Sequence, residues 1–142
     1  MKLALAFILC VALSGVALLH FLWGRGSHWP AASEEALARA AVGDGRRRMP
    51  PPVACFVVAA LLFVMALWPL VVLRHAHEIW VNQVCAVIAG LFVARGVGGF
   101  TPRWRAFFYD EPFTRLDRRY YSPLCIVFGL GFAAFVSGDF IT

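Results

Sequence analysis

The stretch from Val53 to Leu73, VACFVVAALLFVMALWPLVVL, carries no charged side chain and follows Pro50-Pro51-Pro52. A helix needs about 20 mostly apolar residues to cross the hydrocarbon core of a bilayer, and this run supplies them. Three more such runs flank it. Residues 3–22 hold Ser14 and His20 as their conspicuous polar groups. Residues 79–97 have Asn82 and Gln83 near the start and Arg95 near the end. Residues 120–138 keep, from Ser122 onward, two serines as polar side chains. Without water in the hydrocarbon, backbone groups must bond within the segment, so these runs read as helices. A transmembrane barrel would alternate apolar and polar residues in shorter runs, which this chain does not do.

Composition agrees. Of the 142 residues, 61% are hydrophobic and 15% charged, with a mean hydropathy of +0.75. A soluble domain is about half apolar and about a quarter charged. Too little polar surface exists here to coat a water-soluble globule, which excludes a soluble enzyme or a disordered tail. The first run is longer than the apolar core of a signal peptide and lacks an Ala-x-Ala-like cleavage site, so a retained helix is expected. The expected fold is all-α: an integral membrane four-helix bundle of up-down topology, one transmembrane domain over 1–142. Its spans lie at about 3–22, 53–73, 79–97 and 120–138, with amphipathic loop segments 24–52 and 98–119.

Of the thirteen lysines and arginines, all but Lys2 and Arg74 fall in loops one and three or at the span ends bordering them. That asymmetry places loops one and three in the cytoplasm and both termini outside. The same arginines attract anionic lipid headgroups. No nucleic-acid recognition motif accompanies them, so nucleic acid is not an expected partner.

Small residues let helices approach closely in lipid. They recur every fourth residue as Ala6, Cys10 and Ser14, as Ala86, Gly90 and Ala94, and as Gly129, Ala133 and Ser137. Each set forms a stripe suited to bundle packing or to a dimer face. Arg74 to His77 join spans two and three in a tight antiparallel hairpin. In loop one, Ser33 caps a short helix with Glu34 and Glu35 in its first turn and Gly43 at its end, over Ser33 to Val42, lying on the membrane surface. Loop three interleaves Arg105 with Trp104, Phe107, Phe108, Tyr109 and Phe113, a pattern for the headgroup layer. Thr114 and Asp117 fit a capping box opening the last helix, which is re-aimed at Ser122-Pro123.

Polar residues converge on the cytoplasmic ends of the spans. His20 and Trp23 close span one. Arg95-Gly96-Val97-Gly98-Gly99-Phe100 closes span three. Asp117, Tyr120, Tyr121, Ser122 and Cys125 open span four. The glycines permit left-handed turns, a close backbone approach, or an anion cradle of N–H groups. No phosphate-loop ending is present. His75, His77 and Glu78 lack the further ligands of a structural zinc, so no metal is expected. Cys10, Cys55, Cys85 and Cys125 fall one to a span without a CxxC pair, and act as small apolar packing residues. No Asp, Glu, Lys or Arg lies in mid-span, which disfavours a pump or channel, and no internal repeat marks a transporter. No cofactor is expected.

The motifs Leu19-His20-x-x-Trp23-Gly24 with Trp29 following, Arg95-Gly96-x-Gly98-Gly99-Phe100, and Tyr120-Tyr121-Ser122-Pro123-Leu124-Cys125 resemble those of a family of small four-span membrane proteins, domain of unknown function 3995. The resemblance implies a bacterial inner-membrane protein and supplies no activity. The candidate ligand-binding residues are therefore His20, Trp23, Trp29, Arg95, Gly98, Gly99, Asp117, Tyr120, Tyr121 and Ser122. Two functions compete. One is a non-catalytic accessory subunit of a membrane complex or homo-oligomer, or a binder of lipid or a small molecule. The other is a membrane enzyme with His20 as acid/base, Arg95 holding an anionic group, and Tyr120 or Ser122 as hydroxyl partner. Labelling of N- and C-terminal tags in intact cells is expected to find both ends on the outer face; ends on opposite faces overturn the four-span orientation.

Overall fold

The computed structural model describes residues 1–137. Among them it holds α1 (Lys2–Gly24), α2 (Glu34–Ala41), α3 (Pro52–Arg74), α4 (Ile79–Gly98), α5 (Pro102–Phe107), α6 (Phe113–Leu116), a π turn (Asp117–Tyr121) and α7 (Ser122–Val136), with no strand among the described residues. Four helical segments are long and apolar enough to cross a membrane: α1, α3, α4 and the composite Phe113–Val136. The last residue of the fourth expected span, Gly138, lies outside the described residues.

The bundle is built as two pairs. α1 lies along α3 and α4 lies along α7, whereas α3 and α4 approach each other much less. The short 75–78 connection does turn the chain back. Near it the Nε1–H of Trp68 donates to the Val81 carbonyl at 3.2 Å, and the Asn82 amide donates to the Ala76 carbonyl at 2.8 Å. The expected tight hairpin thus exists at its turn and not along the helices.

The seams within each pair are lined by small residues. Ala6, Ala17, Ala59 and Ala66 are buried on α1 and α3, and Gly24 lets the Phe56 ring rest against its backbone. On α7, a β-carbon at Gly129 would sit 2.5 Å from Val93 Cγ2 and 2.9 Å from the Ala89 carbonyl oxygen. The pairs then meet through large side chains. Phe132 is fully buried, the Phe92 and Phe132 rings stack at 5.9 Å between centroids, and Leu9 and Leu13 of α1 join the same core.

The stripe expected on α4 is displaced by one position. Ala86, Gly90 and Ala94 are exposed, and Gly90 has open space beside it; the buried seam runs through Cys85, Ala89 and Gly96. Adjacent residues on a helix lie about 100° apart, so two neighbouring stripes of small residues compete, and the partner decides. Gly129 faces Ala89 and Val93.

Loops one and three pack on each other. α2 is capped as expected, with Ser33 Oγ accepting from the Ala36 amide at 3.2 Å, and Gly43 leaves the helix at φ 71°. Its Leu37 and Ala38 are buried, so this face of the helix packs against the rest of the protein. Arg39 donates to the Glu111 carbonyl at 2.7 Å, and the Asp110 amide donates to the Gly43 carbonyl at 3.1 Å. The expected capping box is not formed. Thr114 donates its hydroxyl to the Asp110 carbonyl, α6 starts at Phe113, and Asp117 turns inward. Pro123 accounts for the π turn before it: its ring clashes with the carbonyl four residues back, and widening the backbone relieves the clash.

Gly129→Val is expected to destabilise the detergent-solubilised protein by about 1–3 kcal/mol, the range for overpacked cores, while Gly90→Val changes it little. Thermal unfolding of both variants checks this; equal effects would show that the α4–α7 seam is misassigned.

Candidate functional site

Arg95 lies one turn from the end of α4 and organises the ends of four elements. Its Nη2 donates to Asp117 Oδ1 at 2.7 Å, its Nη1 donates to Ser122 Oγ at 3.2 Å, and its Cζ stands 4.2 Å from the centroid of the Trp104 indole. Asp117 is 1% exposed and Ser122 fully buried. A buried carboxylate needs a charged partner, and arginine alone among side chains offers a planar fork that serves two acceptors and stacks on a ring at once.

Two glycines make room for this cluster. A β-carbon on Gly96 would lie 2.7 Å from the Ser122 carbonyl oxygen, and one on Gly99 would collide with Ser122 Oγ and Asp117 Oδ2. The expected close backbone approach is therefore present at these two positions. The alternatives of a left-handed turn or an anion cradle are not: Gly99 has φ −59° and its amide donates to the Arg95 carbonyl. Gly98 has no neighbour within 4 Å of where a β-carbon would lie, and its carbonyl accepts from Thr101 Oγ1 at 2.7 Å.

Thr101 also caps α5, its hydroxyl oxygen accepting from the Trp104 amide at 3.3 Å, with Pro102 at the first helical position. This cap folds the chain back directly after α4 and lays Trp104 over Arg95. The Nε1–H of Trp104 is buried with no hydrogen-bond partner. The Thr-Pro cap signature before Trp104 is the signal in the sequence that could have added this residue to the candidate set.

Beside the cluster lies a cleft of about 300 Å³. Its walls include His20 and Trp23 of α1, Cys55 and Val58 of α3, and Arg95, Trp104, Phe108 and Phe113, with Val42 and Met49 of loop one closing over it. His20 Nδ1 donates to the Val16 carbonyl at 2.9 Å, which leaves Nε2 as the ring nitrogen without a protein partner among the described residues. Its ring packs 4.8 Å from that of Trp23, whose Nε1–H donates to the Trp29 carbonyl at 2.8 Å.

The structure thus brings Arg95, Gly99, Asp117 and Ser122 into one contact cluster and sets His20 and Trp23 with Arg95 around one cleft. Tyr121 is next to them, its hydroxyl donating to the Ala40 carbonyl at 3.1 Å and tying the π turn to α2. Trp29 takes part through its backbone only, and its ring is 64% exposed. Tyr120 is 53% exposed, outside the cleft, with Arg119 Cζ 5.5 Å from its ring centroid. Cys55, Trp104, Phe108 and Phe113 complete the walls, and the candidate set read from sequence omits them. No group of His, Cys, Asp and Glu suited to a metal ion occurs among the described residues.

Arg95→Ala is expected to cost about 3–5 kcal/mol by leaving Asp117 buried and unpaired, whereas Arg95→Met combined with Asp117→Leu recovers most of that loss. Unfolding in detergent with both variants decides: equal losses in the two would mean that the ion pair itself, not the lone buried charge, sets stability.

No curated protein and no solved structure matches the chain. A family model described as protein of unknown function (DUF3995) matches residues 13–132, a segment that runs from within α1 to within α7 and contains both the Arg95 cluster and the cleft. The chain belongs to this family of proteins of unknown function.

Proposed function

We propose that this small multi-pass membrane protein is a non-catalytic binder, holding a compact and largely apolar molecule in the cleft under loops one and three. The observation that carries the reading is the cleft itself. Four aromatic rings, Trp23, Trp104, Phe108 and Phe113, line about 300 Å³ together with only two strongly polar side chains, His20 and Arg95. Ligand sites have this make-up: apolar walls and a few polar groups that fix orientation. The polar chemistry points to an oxygen that both donates and accepts, as in a phenol or an alcohol. His20 presents an acceptor, and the partly exposed edge of Arg95 presents donors. The cleft lies at the arginine-rich ends of the spans, which this reading places on the cytoplasmic side of an inner membrane.

Catalysis fits the geometry less well. A hydroxyl nucleophile needs a base within hydrogen-bond reach. Ser122 Oγ receives Arg95 instead, and Tyr120 lies outside the cleft that His20 faces. The accessory-subunit reading has a separate signature, a companion protein recovered in fixed ratio by native mass spectrometry.

Tryptophan fluorescence in detergent tests binding. Titration with 1-naphthol, a flat apolar ring with one hydroxyl, is expected to quench emission saturably, because Trp23 and Trp104 line the cleft. Ala54→Phe, which fills it, removes saturation, and His20→Leu weakens affinity by about fivefold, as for loss of one hydrogen bond. Quenching that never saturates, or that Ala54→Phe leaves unchanged, overturns the reading.

A further inference from the structure

A second hollow lies on the opposite, outward side of the α1–α3 pair, and it is independent of the cleft above. It measures about 510 Å³, inside the usual range of ligand sites, about 300–1,000 Å³. Its floor is made of the small residues Ala17 and Ala59, both buried, with Ala60 and Ser14 beside them. Leu18, Phe21 and Phe63, each between 44% and 56% exposed, rise as its walls. The two helices that form it are both membrane spans, so the furrow opens toward hydrocarbon.

The stripe that lines it on α1 continues to a charge. Ser14, Leu18, Phe21 and Arg25 stand at intervals of four, three and four residues, which keeps them on one face of a helix. The Arg25 amide still donates to the Phe21 carbonyl at 3.1 Å, so the helical register carries through to it. Arg25 is exposed, and no carboxylate among the described residues lies within ion-pair distance of it. At this end of the furrow the Phe21 and Phe56 rings close together, 5.5 Å between centroids. One turn beyond the furrow's last α1 wall residue, Phe21, the same helix face thus carries Arg25, which forms no ion pair among the described residues.

We propose that this furrow seats one anionic phospholipid, an acyl chain lying between α1 and α3 and the headgroup phosphate held by Arg25. A chain in the furrow meets wall atoms on three sides, where a chain on the flat lipid-facing surface meets them on one. The guanidinium offers paired N–H donors that match phosphate oxygens, and near the membrane surface it favours an anionic over a zwitterionic headgroup by about fivefold.

Native mass spectrometry of the full chain in detergent tests this, with phosphatidylglycerol and phosphatidylcholine of the same chains added in equal amounts. The wild-type protein is expected to retain one phosphatidylglycerol preferentially, by about fivefold. Arg25→Gln brings the two lipids to near-equal retention, and Arg25→Lys keeps most of the preference. Ala60→Trp fills the furrow from its exposed side without entering the seam, and loses the retained lipid of either kind; its circular dichroism and melting curve report on folding. Equal retention of the two lipids by the wild type, or a lipid adduct that survives Ala60→Trp in a folded protein, overturns the site. A wild-type dimer that Ala60→Trp converts to monomer overturns it too, because the occupant is then a second copy of the chain. None of these readouts involves 1-naphthol or the inner cleft, so the two proposals fail separately.

Discussion

A carboxylate buried at the end of a membrane bundle governs the construction of this protein. Asp117 is 1% exposed, and removing an ion from water costs several kcal/mol unless a partner restores most of its interactions. Arg95 is that partner, and meeting it constrains everything nearby. The carboxylate must reach α4, so the π turn must pass close to its end, and only glycine at 96 and 99 leaves the space. The guanidinium plane must be held, so Trp104 lies over it, and Trp104 is placed there by the Thr101 cap. A lysine would satisfy one of these contacts at a time; the fork and the flat face of arginine satisfy three.

The two-pair architecture follows from packing in lipid, where burying apolar surface supplies no drive between helices and close contact does. Small residues bring α1 to α3 and α4 to α7. The large rings Phe92, Phe128 and Phe132 then fill the space where the pairs meet. Hollows form where this division of labour ends. Toward the loops, where the pairs are capped by loops one and three, aromatic side chains from α5 and α6 leave the inner cleft. On the outer side of the α1–α3 seam, alanines that are right for close approach leave a furrow between taller neighbours.

What the sequence discloses depends on how local the cause is. The four spans, the Ser33 cap and the Gly43 exit are set by residues within a few positions of one another, and each reads directly. The α4 stripe does not, because Cys85, Ala89 and Gly96 offer nearly the same pattern as Ala86, Gly90 and Ala94, and the choice rests on Gly129 forty residues away in space-filling contact. The capping box at Thr114 is a correct local pattern overridden by a distant demand: Asp117 makes its bond to Arg95 and leaves the helix start uncapped. Arg95, Asp117 and Ser122 were nonetheless legible as candidates, since polar residues at the ends of apolar runs are few. The role of the glycines between them was only half legible: Gly96 and Gly99 clear space for Ser122, Ile126 and Asp117, and the Gly99 amide is taken by the Arg95 carbonyl. Tyr120 and Tyr121 show the limit most plainly. They are adjacent in sequence and chemically alike, yet a π turn points one outward and lets the other reach Ala40.

The same geometry bears on the choice between binding and catalysis. A catalytic group has to change partners during a reaction. Here the groups with chemical potential are already engaged: Asp117 by Arg95, Ser122 Oγ by Arg95, the His20 Nδ1–H by Val16 and the Tyr121 hydroxyl by Ala40. Displacing Arg95 from Asp117 would strand a buried charge. The interactions still open around the cleft are weaker and more numerous: aromatic faces, one imidazole nitrogen and the accessible edge of a guanidinium whose charge is balanced from behind. Such a set recognises shape and a single oxygen well, and it activates a bond poorly, since no developing charge would meet an uncompensated one of opposite sign. The ion pair at the centre of the site thus commits its own groups to each other, and under the proposed reading leaves the cleft beside it to bind rather than to react.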